Sequence, residues 1–116
     1  MREKVKDKGR LEHILESIDY VIEFTNEVDL DFFLMNKMLQ FAVVKNLEIV
    51  GEASYRLTNE FRNSHPEIEW NSIISMRHIL VHGYYDTNLM IVWDTVKNYL
   101  PSLKEQIQTI YDNEHI

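Results

Sequence analysis

The stretch LDFFLMNKMLQFAVVKNLEIVGEASYRLTNEFRN, Leu30 to Asn63, decides the fold class. It contains no Pro and one Gly, Gly51, and it is long enough for a single helix of about eight or nine turns. Phe32, Met35, Met38, Leu39, Ala42, Val43, Leu47, Val50, Ala53, Leu57 and Phe61 form its apolar set. Further apolar residues at Phe33, Leu34, Phe41, Val44 and Ile49 widen the stripe, which suits a central helix or one that also meets a second subunit. Gly51 costs about 1 kcal/mol relative to Ala in a helix, so it marks a bend or a close helix crossing.

Upstream, Leu11, Ile14, Leu15, Ile18, Val21 and Ile22 repeat at helical spacing, with Glu12, Glu16 and Asp19 opposite. This predicts a helix from about Arg10 to about Thr25, closed by the cap-forming residues Asn26 to Asp29, with 1–9 a flexible N-terminal segment. Downstream, Ser64 and Glu67 fit a capping box, although a start nearer Asn71 fits too. The helix that follows carries Ile68, Ile73, Ile74, Met76, Ile79 and Leu80 and meets a natural stop at Gly83. Asp86 to Asn88 offer caps for a last helix, kinked at Pro101, whose apolar positions run from Leu89 to Ile110. The expectation is an all-α, up-and-down four-helix bundle, a single domain over 1–116 with a long central helix.

Composition limits what such a domain does. The chain has 116 residues, 45% hydrophobic and 27% charged, the balance of one soluble globular core. With no Cys, it has no disulfides, thiolate zinc sites or cysteine nucleophile. A formal charge of −7 means that any site for a polyanion must be local. No signal-peptide core or long apolar run is present, so a cytoplasmic protein without membrane contact is expected.

One local cluster stands out: Arg77, His78, His82, Tyr84 and Tyr85, with no acid among residues 77–85. A guanidinium binds phosphate bidentately and imidazoles titrate near neutrality, so the set suits phosphate chemistry. Cleavage of an RNA phosphodiester needs a base for the 2′-hydroxyl, an acid for the leaving 5′-oxygen and a cation for the phosphoryl oxygens. His82 can serve as acid or base and Arg77 as the cation, with no metal or cofactor required. Residues five apart on an ideal helix stand about 140° from each other, so Arg77 and His82 converge if the helix unwinds at Gly83 or if a second subunit completes the site; the second is expected. Plainer roles fit the same residue types. Arg77 can be ion-paired at the surface, His82 can face the last helix carbonyls, and the tyrosines, Trp70 and Trp93 can simply pack. His78 and His82 have a zinc-compatible spacing, yet no HExxH pattern or third ligand accompanies them.

The order of these features resembles HepT-type members of the HEPN superfamily. The resemblance rests on R-x-x-x-x-H-x-Y at Arg77, His82 and Tyr84, on Gly51-Glu52-Ala53, on Pro66 to Trp70, and on Val92-Trp93 with Leu100-Pro101-Ser102-Leu103, spanning about residues 11 to 110. It implies a homodimer that brings two motifs into one cleft, and metal-independent endoribonuclease activity with Arg77 and His82 catalytic. It implies supporting places for His78 and Glu52, and RNA as substrate, tRNA among the candidates. It further implies a type VII toxin–antitoxin pairing with an MntA-like minimal nucleotidyltransferase that adds AMP to Tyr84. The alternative is a non-catalytic nucleotide-binding or interaction module that pairs with such a nucleotidyltransferase.

Overall fold

The computed structural model describes residues 2–82 and 89–113, with the side chains of 6–80 and 89–113; every regular element among them is helical. The first helix, α1 (Arg2–Phe24), buries Leu11, Ile14, Leu15, Ile18 and Val21 and exposes Glu12, Glu16 and Asp19, as the spacing predicts. It begins at Arg2 rather than near Arg10, so the segment 1–9, expected to be flexible, is helical over nearly its whole length. The cause is polar. Asp7 is buried and accepts hydrogen bonds from the Thr58 backbone N–H (2.9 Å) and the Thr58 hydroxyl (2.7 Å), with Arg10 3.8 Å away. A carboxylate satisfied from 51 residues along the chain leaves no apolar period to read.

The predicted long helix is three: α2 (Leu30–Met35), α3 (Lys37–Arg56) and α4 (Asn59–Ser64). Asn36 turns extended (φ −116°, ψ 98°), closing α2 and capping α3 through its side-chain oxygen, which accepts from Leu39 N–H at 2.9 Å. Buried Gln40 reaches back to donate to the carbonyls of Phe33 and Leu34 at 2.8 and 3.1 Å, satisfying groups that the break would orphan. At the other end Leu57 is extended and the Thr58 hydroxyl caps α4 at Phe61 N–H. The apolar stripe runs across both breaks, which is why periodicity reads through them.

Ser64 does not open the next helix. Its hydroxyl donates to the Glu60 carbonyl at the end of α4, and α5 (Trp70–His82) starts close to the alternative at Asn71. Trp70 fixes that start by donating from Nε1 to the His65 carbonyl (3.0 Å), its ring edge-on to Phe61 at 6.3 Å. The predicted stop at Gly83 and caps at Asp86 to Asn88 lie outside the described residues. After α6 (Leu89–Asp94) a π turn over Thr95–Tyr99 leads into α7 (Leu100–Asn113). Pro101 has no N–H and its ring crowds the carbonyl four residues back; the helix absorbs this as a widened turn in which Leu100 N–H donates to Thr95.

α1 packs on both α3 and α7, and α3 on α5. Lys97 donates to the Thr25 carbonyl, Lys104 pairs with Asp19 and Tyr111 hydrogen-bonds to Glu12, so α7 runs antiparallel to α1. The core draws on every long helix, with Leu11, Ile18, Phe33, Leu47, Val50, Leu100, Leu103 and Ile107 essentially inaccessible. Trp70 and Trp93 are packing residues, Trp93 lying 5.0 Å from the Phe33 ring. The widened stripe is only partly buried: Phe33 is core, but Phe32 and Phe41 are exposed, and Met35 and Met38 are 86% and 80% accessible. No helix among the described residues is long and apolar enough to cross a membrane.

Candidate active site

The site starts from Gly51. A Cβ built there would stand 2.2 Å from Cβ and 3.2 Å from Cα of Arg77, so α3 and α5 touch backbone to backbone at this point. Of the two roles open to this glycine, the structure gives it the close crossing. Its φ is not in the left-handed region, so what the position demands is space.

The crossing delivers Arg77 to its neighbour on α3. Arg77 Nε lies 2.7 Å from Glu52 Oε2, and the other carboxylate oxygen, Oε1, accepts a hydrogen bond from Arg56 Nε at 3.0 Å. One carboxylate thus sits between two guanidinium groups, and the triad carries a net single positive charge. Both arginines engage Glu52 through the inner Nε. Among the described residues no other carboxylate lies within ion-pair distance of either, so neither pair of Nη groups, the edge that matches phosphate oxygens, is matched to a second carboxylate. Arg77 is 35% exposed, accessible but not free to swing. A solvent-facing ion pair contributes little to stability, so the main effect of Glu52 is orientation.

Along the sequence no acid falls among residues 77–85; in three dimensions Glu52 is directly on Arg77. Arg56 was missed. Its signal was the four-residue spacing from Glu52 on one helix, a pairing that stands out only once Glu52 has a second partner. His78, next to Arg77 on α5, has an exposed side chain. His82 is the last residue of the described α5, four positions beyond His78 and so on the same helix face; its side chain and all of Tyr84 lie outside the described residues. The structure therefore brings Arg77 and Glu52 together, adds Arg56, and places His78 and the His82 backbone on the helix that carries Arg77. Among the described residues no group of three or more His, Asp or Glu could hold a metal ion.

Comparisons with known proteins give the family. The family model described as Ribonuclease HepT-like matches residues 14–110, from α1 to near the end of α7. The chain is 42% identical over 107 residues to a protein named Probable ribonuclease HepT from Thermococcus cleftensis, covering 92% of this chain and 97% of that one. It is 39% identical over 103 residues to a chain of Methanocaldococcus jannaschii provisionally named an RNase, with 89% and 94% covered. A third relative, from Caldanaerobacter subterraneus and also provisionally named an RNase, is 36% identical with 90% and 93% covered. No solved structure matches. A family match over residues 14–110, together with relatives aligned over nearly their full lengths, establishes that the chain belongs to the HEPN-type, HepT-like family of ribonucleases.

Proposed function

We propose that this chain is a metal-independent endoribonuclease, the toxin of a type VII toxin–antitoxin pair, acting as a homodimer in the cytoplasm. The observation that carries the reading is the ion-paired Arg77: its Nε lies 2.7 Å from Glu52 and its side chain is accessible, one and a half helical turns before His82. Arg77 binds the scissile phosphate. A base removes the proton of the 2′-hydroxyl, O2′ attacks phosphorus, and a 2′,3′-cyclic phosphate forms as the P–O5′ bond breaks. An acid gives a proton to the departing O5′. His82 takes one of these roles, and the motif of the second subunit supplies the other in a shared cleft between two up-and-down bundles. The exposed Phe32, Met35, Met38 and Phe41 support such a pairing of subunits. His78 assists in holding phosphate. Transfer of AMP to the Tyr84 hydroxyl by an MntA-like nucleotidyltransferase would place a bulky anion beside Arg77 and exclude the anionic substrate.

The deciding experiment is cleavage of cellular RNA by the purified protein and by His82→Ala, with excess chelator and analysis of the product ends, after mass measurement has shown Tyr84 to be unmodified. Cleavage by wild type alone, leaving cyclic phosphate ends, is the expected result. No cleavage by either folded protein would favour the nucleotide-binding module, which the charge of −7 also suits.

A further inference from the structure

One turn beyond Glu52 on α3 stand Tyr55 and Arg56, which no step of the proposed reaction uses. Both are solvent-facing, 59% and 61% exposed. α5 begins beside α4, with Trp70 against Phe61, and meets Gly51 at Arg77, so it runs back along α3 in the opposite sense. From Arg77, His82 therefore lies in one direction along the crossing, and Tyr55 and Arg56 in the other. A strand whose reacting phosphate sits between Arg77 and His82, and which continues past Arg77 on the side away from His82, comes to this turn of α3. There it meets the Arg56 guanidinium, held by Glu52 at 3.0 Å and paired with no other carboxylate among the described residues, and on the neighbouring stripe of the same turn the exposed Tyr55. A cation and an aromatic ring within reach of one strand are the means by which proteins hold single-stranded nucleic acid: the cation takes phosphate and the ring stacks on a base of any identity.

We propose that Tyr55 and Arg56 form a subsite for the nucleotide flanking the cleaved bond, Tyr55 stacking on its base and Arg56 holding its phosphate. The substrate is then RNA with unpaired bases at this point, because a duplex keeps its bases stacked inside and offers mainly sugar and phosphate. The inference rests on the endoribonuclease reading and gives it a substrate class.

The test uses a fluorescein-labelled 2′-O-methyl RNA oligonucleotide, which lacks the attacking hydroxyl and stays intact, as a single strand and annealed to its complement. Anisotropy titrations across a salt series compare wild type, Tyr55→Ala, Tyr55→Phe and Arg56→Gln, and cleavage of unmodified RNA is measured in parallel. The single strand should bind more tightly than the duplex. Tyr55→Ala should weaken binding at least about tenfold while Tyr55→Phe stays near wild type. Arg56→Gln should make the slope of log K against log salt shallower by about 0.7, the signature of one lost phosphate contact on a single strand. In cleavage, Tyr55→Ala and Arg56→Gln should raise KM more than they lower kcat. Folded Tyr55→Ala and Arg56→Gln proteins with wild-type affinity and salt slope would overturn the subsite while leaving an active wild type as a ribonuclease. A wild type that neither binds nor cuts RNA would remove both readings together.

Discussion

Replacing Gly51 with Ala tests the crossing on which the site depends. The new methyl would lie 2.2 Å from Arg77 Cβ, and ordinary contact begins near 3.4 Å, so α3 and α5 must part by about 1.2 Å at this point. Neither side can yield by rotation, because the obstructing atoms are the Cβ and Cα of a helix and not the tip of a long side chain. Overpacking of this kind costs typically about 1–3 kcal/mol, and the approach here is at the severe end. Against it stands the gain of about 1 kcal/mol from removing Gly from a helix. The net expectation is a loss of about 1–2 kcal/mol, read as a fall of roughly 5 °C or more in Tm by circular dichroism. The same displacement pulls Arg77 Nε away from its ion-pair contact with Glu52, and a misplacement near 1 Å lowers kcat by about a hundredfold. Gly9→Ala in α1 is the matched control. Nothing lies within 4 Å of its added methyl, so it should raise stability by about 0.5–1 kcal/mol. If Gly51→Ala stabilised the protein as Gly9→Ala does, or left RNA cleavage untouched, the backbone contact between α3 and α5 would be refuted.

Asp7→Ala should cost about 2–3 kcal/mol in urea unfolding, because it removes a charged acceptor and strands the Thr58 N–H at the start of α4; a change below about 0.5 kcal/mol would contradict that anchoring. Glu52→Gln should lower kcat for RNA cleavage by about ten- to a hundredfold with stability within about 1 kcal/mol of wild type, since it loosens Arg77 without opening a cavity; steady-state kinetics with an unfolding curve checks both. Tyr84→Phe should keep part of the cleavage activity yet escape inhibition when incubated with the nucleotidyltransferase and ATP. Continued neutralisation of that variant would rule out modification of Tyr84 as the mechanism.

The sequence made the apolar face of α1 legible because Leu11, Ile14, Leu15, Ile18 and Val21 are apolar, buried and regularly spaced. Gly51 was legible as a crossing or a bend because glycine inside a helix is costly. The breaks at Asn36 and Thr58 were hidden, since each rests on one capping side chain while the hydrophobic stripe continues past it. The start of α1 was hidden for the opposite reason: polar Asp7 is inside, held by a partner 51 residues away. At the site, Arg77 and His82 could be named from residue type and spacing. That Glu52 orients Arg77 and shares itself with Arg56 depends on how two helices cross, and local spacing does not encode that.

The antiparallel seam between α1 and α7 sets the order in which the molecule can assemble. Gly51 and Arg77 are neighbours in the chain compared with Glu12 and Tyr111, which are separated by 99 residues. Closing the longer loop costs more chain entropy, and its reward, burial of Leu100, Leu103, Ile107 and Ile110, comes only when α7 docks. On a ribosome the α3–α5 pair can meet while the groove beside α1 still waits for α7. The arginine site is thus laid down early, and the stability that holds it arrives when α7 docks.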